Sequence, residues 1–329
     1  MRAGCDWLAW PPDDTTPPVL TALAGGVGAA RMLRGLAAVV GPTTITAIVN
    51  TADDVVLHGL HVSPDLDTVV YTLGAGNDEE RGWGLAGETW TVMVSLERYG
   101  GQTWFRLGDQ DLATHLYRTQ RFAEQATLSE VTAEIAAAWS VGVRLLPMSD
   151  DRVQTRITVA GPVPGTSTEI GFQEWFVDRR HSVTVERLRF EGADEARPAP
   201  GVLAAIADAE TVVVCPSNPL VSIAPILAVP GIADAVQARR DDVVAVSPIV
   251  AGAALRGPAD RLLRDLGPES SVVGVARLYA PFAATLVVDD ADADLAPGVE
   301  AAGMRCVVAP TVMRGRAGAE ALARVVVGR

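Results

Sequence analysis

Val19-Leu20-Thr21-Ala22-Leu23-Ala24-Gly25-Gly26-Val27-Gly28-Ala29-Ala30-Arg31 is the stretch that decides the fold. A short apolar run ends in glycines, and from Arg31 to Val40 the apolar residues Met32, Leu36 and Val39 recur at helical spacing. Gly41-Pro42 breaks that pattern, and Thr44–Val49 reads as a second strand. Strand, glycine turn, helix, strand opens a doubly wound, mostly parallel α/β sheet of Rossmann-like type. Glycines let backbone amides approach an anion, and a helix N-terminus favours one, so Gly25, Gly26, Val27 and Gly28 are candidates for holding a nucleotide phosphate. An ordinary βα turn has the same look, and the later positions Ala30 and Arg31 depart from G-x-G-x-x-G.

Two aspartate runs follow, Asn50-Thr51-Ala52-Asp53-Asp54 and Ser63-Pro64-Asp65-Leu66-Asp67-Thr68. The first lies at the carboxyl end of the second strand, where open α/β sheets place ligands. Carboxylates bind hard cations such as magnesium and share them with substrate phosphates. Asp65 and Asp67 alternate, so in an extended segment they face one side. Asp53 and Asp54 are adjacent, so one is expected as ligand and the other as a cap or solvated group. A solvated loop of Asx turns is the competing reading of either run alone.

Beyond these runs, residues 68–200 are less regular. Helices are expected at Val69–Leu73, Glu88–Tyr99, Asp111–Ala123 and Leu128–Trp139, the last with Ser129 as N-cap, and a strand meander at Arg152–Val159, Glu169–Phe176 and Ser182–Phe190. From 202 the α/β rhythm returns with helices at Val202–Asp208, Ala259–Leu266 and Ala317–Val327. Strands are expected at Thr211–Cys215, Asp242–Val246, Ser271–Val275, Thr285–Val288 and Arg305–Val308. The expected organisation is a disordered extension (1–18), a first part of a nucleotide-binding core (19–105), an inserted helical and meander cap (106–200) and a second part of the core (201–329). Pro216-Ser217-Asn218-Pro219 ends one of the later strands, and its Ser217 and Asn218 can hold a base or phosphate or simply cap a helix.

Composition narrows the chemistry. All 27 basic residues of the 329 are arginine, which excludes a Walker lysine, a Schiff base and a lysine general base. A net charge of −13 argues against nucleic acid as partner. Cys5, Cys215 and Cys306 are odd in number and far apart, which fits a reducing cytoplasm rather than a disulfide framework. No apolar stretch is long enough to span a bilayer, and acidic residues and prolines interrupt residues 1–18 as a secretory signal. Acidic turns at Arg106–Asp111 and Leu146–Asp151 read as capping and surface solvation, and His58, His61, His115 and His181 make no zinc set.

Taken together and in this order, Gly25–Gly28, Val49–Asp54, Ser63–Thr68, Leu107-Gly108-Asp109, Ala113-Thr114-His115, Leu145–Asp151, Phe172–Trp175, Pro216–Pro219 and Ser247-Pro248-Ile249 resemble the CofD-type 2-phospho-L-lactate transferases of coenzyme F-420 biosynthesis, closest to their actinobacterial phosphoenolpyruvyl branch. The resemblance implies transfer of a phospho-C3-acid group, enolpyruvyl or lactyl, from its guanylylated diphosphate to the terminal ribityl hydroxyl of the deazaflavin Fo, with release of GMP. It implies magnesium on Asp53, Asp54 and Asp65, catalytic roles for Asp65 and Asp67, Fo contacts from Asp67 and Asn50, and a homodimer. Gln110 stands where the family often has arginine, and Ala29 where it commonly has glycine. The alternative is a non-catalytic nucleotide-sugar-binding regulator of the gluconeogenesis-factor type.

Overall fold

Seven short strands, most of them of β-branched and small apolar residues, pair in parallel to make the central sheet of this protein, in a computed structural model that describes residues 20–161, 163, 165–255, 257–267 and 269–328. The expected extension 1–18 lies outside the described residues. In chain order β1 (Leu20–Ala24), α1 (Gly26–Val40) and β2 (Ile45–Val49) open the sheet. A hairpin of β3 (Val55–Leu57) and β4 (Leu60–Val62) follows, closed by His58 and Gly59 at φ 52° and 79°, as a two-residue turn of the primed type requires. Next come α2 (Pro64–Leu73), α3 (Thr91–Arg98), α4 (Asp111–Ala123), α5 (Leu128–Ala138) and β5 (Arg144–Pro147). A separate small sheet holds β6 (Gln154–Ala160), β7 (Ser167–Gly171) and β8 (Val185–Glu191). The chain then returns through α6 (Val202–Asp208), β9 (Thr211–Val214), α7 (Ala224–Ala228), α8 (Ile232–Ala238) and β10 (Val243–Val246). The two-residue strands β11 (Ile249–Val250) and β12 (Ala253–Ala254), α9 (Ala259–Leu266), α10 (Val272–Tyr279), β13 (Thr285–Val288), α11 (Ala296–Ala301), β14 (Arg305–Val308) and α12 (Gly315–Val326) complete it.

The main sheet runs β14-β13-β10-β9-β1-β2-β5, every pair parallel. Strand order reverses between β1 and β9, so this is the switch point at which a doubly wound sheet opens a crevice beyond its strand ends. Strands β1, β2, β9 and β13 are buried on both faces, or nearly so, because helices cover both sides. One side packs residues of α1, α2, α5 and α12, and the other packs α6, α7, α8, α10 and α11. Among the described residues no single helix is long and apolar enough to cross a membrane.

Several local expectations are corrected. Helix α1 starts at Gly26, not Arg31, so the glycines are its first turn. Residues 271–275 are not a strand but the start of α10. Ser271 caps that helix by accepting the Gly274 N–H at 3.1 Å. Thr127, not Ser129, caps α5, in a reciprocal box with Glu130. The strand expected at 169–176 stops at Gly171, and Glu174–Asp178 form a π-helical turn. The small sheet is ordered β7-β6-β8, so its third strand returns beside the first and the three do not form a meander. Strand β5, inside the stretch expected as a cap, is an edge strand of the main sheet beside β2.

Candidate active site

The ends of β1, β2 and β9 bring the sequence motifs together at the switch point. The Ser217 hydroxyl, just past β9, accepts the Gly25 N–H at 3.2 Å and donates to the Gly25 carbonyl at 2.9 Å, tying the two loops of the crevice. Gly28 must be glycine, because a Cβ there would lie 2.4 Å from the Pro216 carbonyl oxygen. Gly26 has φ +71°, which L side chains rarely adopt. Asn218 opens a π-helical turn at Pro219–Ile223 by accepting the Leu220 N–H at 3.0 Å, while its Nδ2 is buried without a partner. An unpaired buried donor beside a helix N-terminus is a position a ligand oxygen can fill.

The aspartates divide differently from the extended-strand expectation. Pro64 at the first helical position starts α2 at once, so Asp65 and Asp67 sit about 200° apart round a helix and do not share a face. Asp65 turns toward α1, where the Gly26 N–H donates to its carboxylate. Helix α1 has no acidic residue in its own first turn, so α2 supplies the anion at its positive end. Asn50 then links this carboxylate to the next run: its Nδ2 donates to Asp65 Oδ2 at 2.9 Å and, more weakly, to Asp53 Oδ2 at 3.3 Å. Asp53 is buried and its Oδ1 has no partner. Burial, then the nearby Asp65 charge, pushes the Asp53 carboxyl well above its usual range. Burial also raises Asp65, to about 6, against the opposing Asn50 and Gly26 bonds.

Asp54 and Asp67 face the other way. The Ser63 hydroxyl donates to Asp54 Oδ2 at 2.6 Å, and Asp54 Oδ1 is buried and unpartnered. Burial raises this carboxyl well above its usual range, with Ser63 and Arg118 opposing. Asp67 forms a forked pair with Arg118, Nη1 reaching Oδ2 at 3.2 Å and Nη2 reaching Oδ1. Arg118 carried no signal in the sequence, and neither did Asp111, which was expected as a solvated cap. Asp111 is instead buried, accepts the Tyr71 hydroxyl at 2.6 Å, and lies 3.2 Å from His115 Nε2. Gln110 bonds the Gly87 carbonyl at 3.1 Å, away from these groups.

A cleft of about 360 Å³ adjoins Asp54. Its walls include Val55, His61, Ser63, Phe122, Asp151 and Arg152, and neither Asp67 nor Asn50 lines it. His61 meets Phe122 edge-on with ring centroids 4.8 Å apart. The volume of the cleft is within the range of small-molecule sites.

Residues of the small sheet brace the aspartate turn from behind. The Thr155 N–H donates to the Ala52 carbonyl at 2.8 Å, and Gln173 Nε2 donates to the Asp53 carbonyl at 3.3 Å. Among the described residues no three His, Cys, Asp or Glu side chains converge as a ready metal cluster. Two carboxylates, one of them with an unpartnered oxygen, nonetheless fit magnesium, which takes one or two protein carboxylates and completes its shell with phosphates and water.

The family model for 2-phospho-L-lactate transferase CofD matches residues 20–305. The chain belongs to the CofD family. It is 50% identical over 297 residues to the phosphoenolpyruvate transferase of Kitasatospora aureofaciens, covering 89% of this chain and 92% of that one. It is 44% identical over 280 residues to the phosphoenolpyruvate transferase of Mycolicibacterium smegmatis, covering 82% and 86%. A crystal structure of a UPF0052 family member from Bacillus halodurans superposes with a TM-score of 0.59 at 17% identity, covering 94% of this chain and 98% of that one, which shows a shared fold. This CofD-family chain is therefore a transferase, and an enzyme rather than a sensor is what its site has to explain.

Proposed function

We propose that this CofD-family protein moves a phosphoenolpyruvyl group from its guanylylated diphosphate to the terminal ribityl hydroxyl of the deazaflavin Fo, releasing GMP, in coenzyme F-420 biosynthesis. The observation that carries the reading is the Asp53–Asn50–Asp65 bridge, set against the amide end of α1 and beside the cleft at Asp54. The names of relatives at 44% to 50% identity favour the enolpyruvyl over the lactyl donor.

In this reading the first turn of α1, Ser217 and Asn218 hold the guanosine diphosphate portion. Asp53 and Asp65 would supply oxygens to magnesium, which would neutralise charge on the phosphates. The cleft takes the deazaflavin ring and presents the ribityl hydroxyl to the phosphorus that bears the acid. A bond forms from the hydroxyl oxygen to that phosphorus as the bond to the oxygen shared with GMP breaks. Asp54, on the cleft wall, takes the hydroxyl proton, and the α1 amides meet the charge left on GMP. Having no lysine, the chain meets phosphate charge with amides, arginine and metal.

The test is an incubation of the protein with Fo, magnesium and equal amounts of the enolpyruvyl and lactyl donors. The expected result is GMP release and a product mass corresponding to the dehydro form of F-420-0. Asp65→Asn is expected to slow GMP release at least 100-fold, and a wild-type protein that releases no GMP overturns the reading.

A further inference from the structure

Among the described residues, Arg118 is the one strongly basic side chain that is buried, only 2% exposed, and it stands behind the candidate site rather than in it. It comes from the inner face of α4, on which Asp111, His115, Arg118 and Phe122 follow at spacings of four, three and four residues. Both oxygens of Asp67 are engaged by its fork. Arg118 Nη1 also donates to the His61 carbonyl and lies 3.3 Å from both that oxygen and His115 Nδ1. On the next residue of α4, the Thr119 hydroxyl accepts the His61 N–H at 2.8 Å. Further along, Asp111 accepts from Tyr71 on α2, and its N–H donates to Glu88 at 2.8 Å. One helix face therefore holds α2 through Asp67 and Tyr71, and holds β4 through His61, the residue that walls the cleft with Phe122.

We propose that Arg118 and Asp67 are a single positioning unit that fixes the cleft wall at His61 against the N-terminus of α2, and that Asp67 touches neither substrate nor metal. A carboxylate whose two oxygens are taken by a buried guanidinium is a poor candidate for either task. Removing one of its contacts would leave a charge buried without its partner. The assignment rests on the transferase reading above and divides its four aspartates: Asp53, Asp54 and Asp65 meet ligand, and Asp67 serves Arg118.

The deciding variant is the double substitution Asp67→Leu with Arg118→Met. Replacing a buried ion pair by apolar residues of similar volume is often neutral for stability, whereas removing one partner is not. Its expected behaviour is a KM for Fo raised tenfold or more, with kcat at saturating Fo within tenfold of wild type. Manganese affinity, read by spin resonance as a probe of the cation site, is expected to stay within threefold. A tenfold rise in KM corresponds to about 1.4 kcal/mol, the size of one charge-assisted hydrogen bond lost at the cleft wall. A folded double variant that loses kcat as fully as Asp65→Asn overturns the proposal by making Asp67 catalytic. One with unchanged KM and kcat overturns it by making the pair structural only. If the double variant does not fold, Asp67→Asn is judged by the same readouts. Should the wild type release no GMP, the transferase reading fails by itself. Manganese affinity then decides the aspartate division, with loss in the double variant sinking it.

Discussion

Asp65 joins two helix N-termini, closing the first turn of α2 in sequence and the first turn of α1 in space. Its carboxyl is raised from 3.8 to about 6, mainly by burial. A raised folded-state value means that the folded protein binds the proton more tightly than the unfolded chain. The associated stability is complete below the unfolded value near 4 and is lost as pH rises through 6. The loss is at most ~3 kcal/mol, less where water screens the group. In metal-free buffer, Asp65→Asn is therefore expected to gain melting temperature relative to wild type as pH is taken from 4 to 7. A difference that stays flat across that range would show that the carboxylate is not held at this value. The same residue shows how far the sequence could be read. Asp65 was legible as a site residue because aspartates clustered beside a glycine turn, but its direction was not. Ser63-Pro64 is a helix start, and reading the segment as extended put Asp65 and Asp67 on one side. Arg118 was not legible at all, since its partner Asp67 lies 51 residues away and no local pattern announces a buried pair.

At the scale of elements, periodicity located β1, α4, α6, α9, β13 and β14 because each is either amphipathic or flanked by turn residues. It failed at 271–275, where Val272, Val273 and Val275 make a short run apolar on all sides. Such a run reads equally as a strand or as a buried helix. The deciding feature is the cap: the Ser271 hydroxyl accepts from Gly274 N–H and donates to Glu269 at 2.6 Å. Ser271→Ala is expected to cost about 1 kcal/mol, lowering the melting temperature by about 1–2 °C in a scanning calorimeter. An unchanged melting temperature would mean that the hydroxyl does not hold α10. The βα turn gives a sharper element-scale outcome. Gly28→Ala puts a methyl 2.4 Å from a backbone oxygen of the neighbouring loop, and backbone cannot give way as a side-chain tip can. The expected cost is about 1–3 kcal/mol by chemical denaturation, together with loss of the Ser217–Gly25 alignment that ties the two crevice loops. Full stability in Gly28→Ala would contradict the close approach of the two crevice loops.

The whole molecule sets a negatively charged crevice in a chain of net charge −13, and braces it from three directions. The main sheet offers the ends of β1, β2 and β9, the small sheet holds the aspartate turn through Thr155 and Gln173, and α4 holds α2 from outside. Such bracing keeps Asp53 and Asp65 close to Asn50 in spite of their mutual repulsion. A cation that relieved this repulsion would bind the folded chain and not the unfolded one, and would therefore raise stability by mass action. At a free magnesium concentration 100 times Kd, the gain is about 2.7 kcal/mol. For a chain of this size that is on the order of 4 °C in melting temperature. Both Asp53→Asn and Asp65→Asn are expected to remove most of the increment, because each takes one carboxylate from the pair. Gln173→Ala is expected to lower the melting temperature by leaving the Asp53 carbonyl unpaired, yet to preserve the magnesium increment, since the carboxylates themselves remain. Thermal shift with and without magnesium separates these cases. A wild-type protein whose melting temperature ignores magnesium would leave Asp53 and Asp65 as a strained pair with no cation to bind.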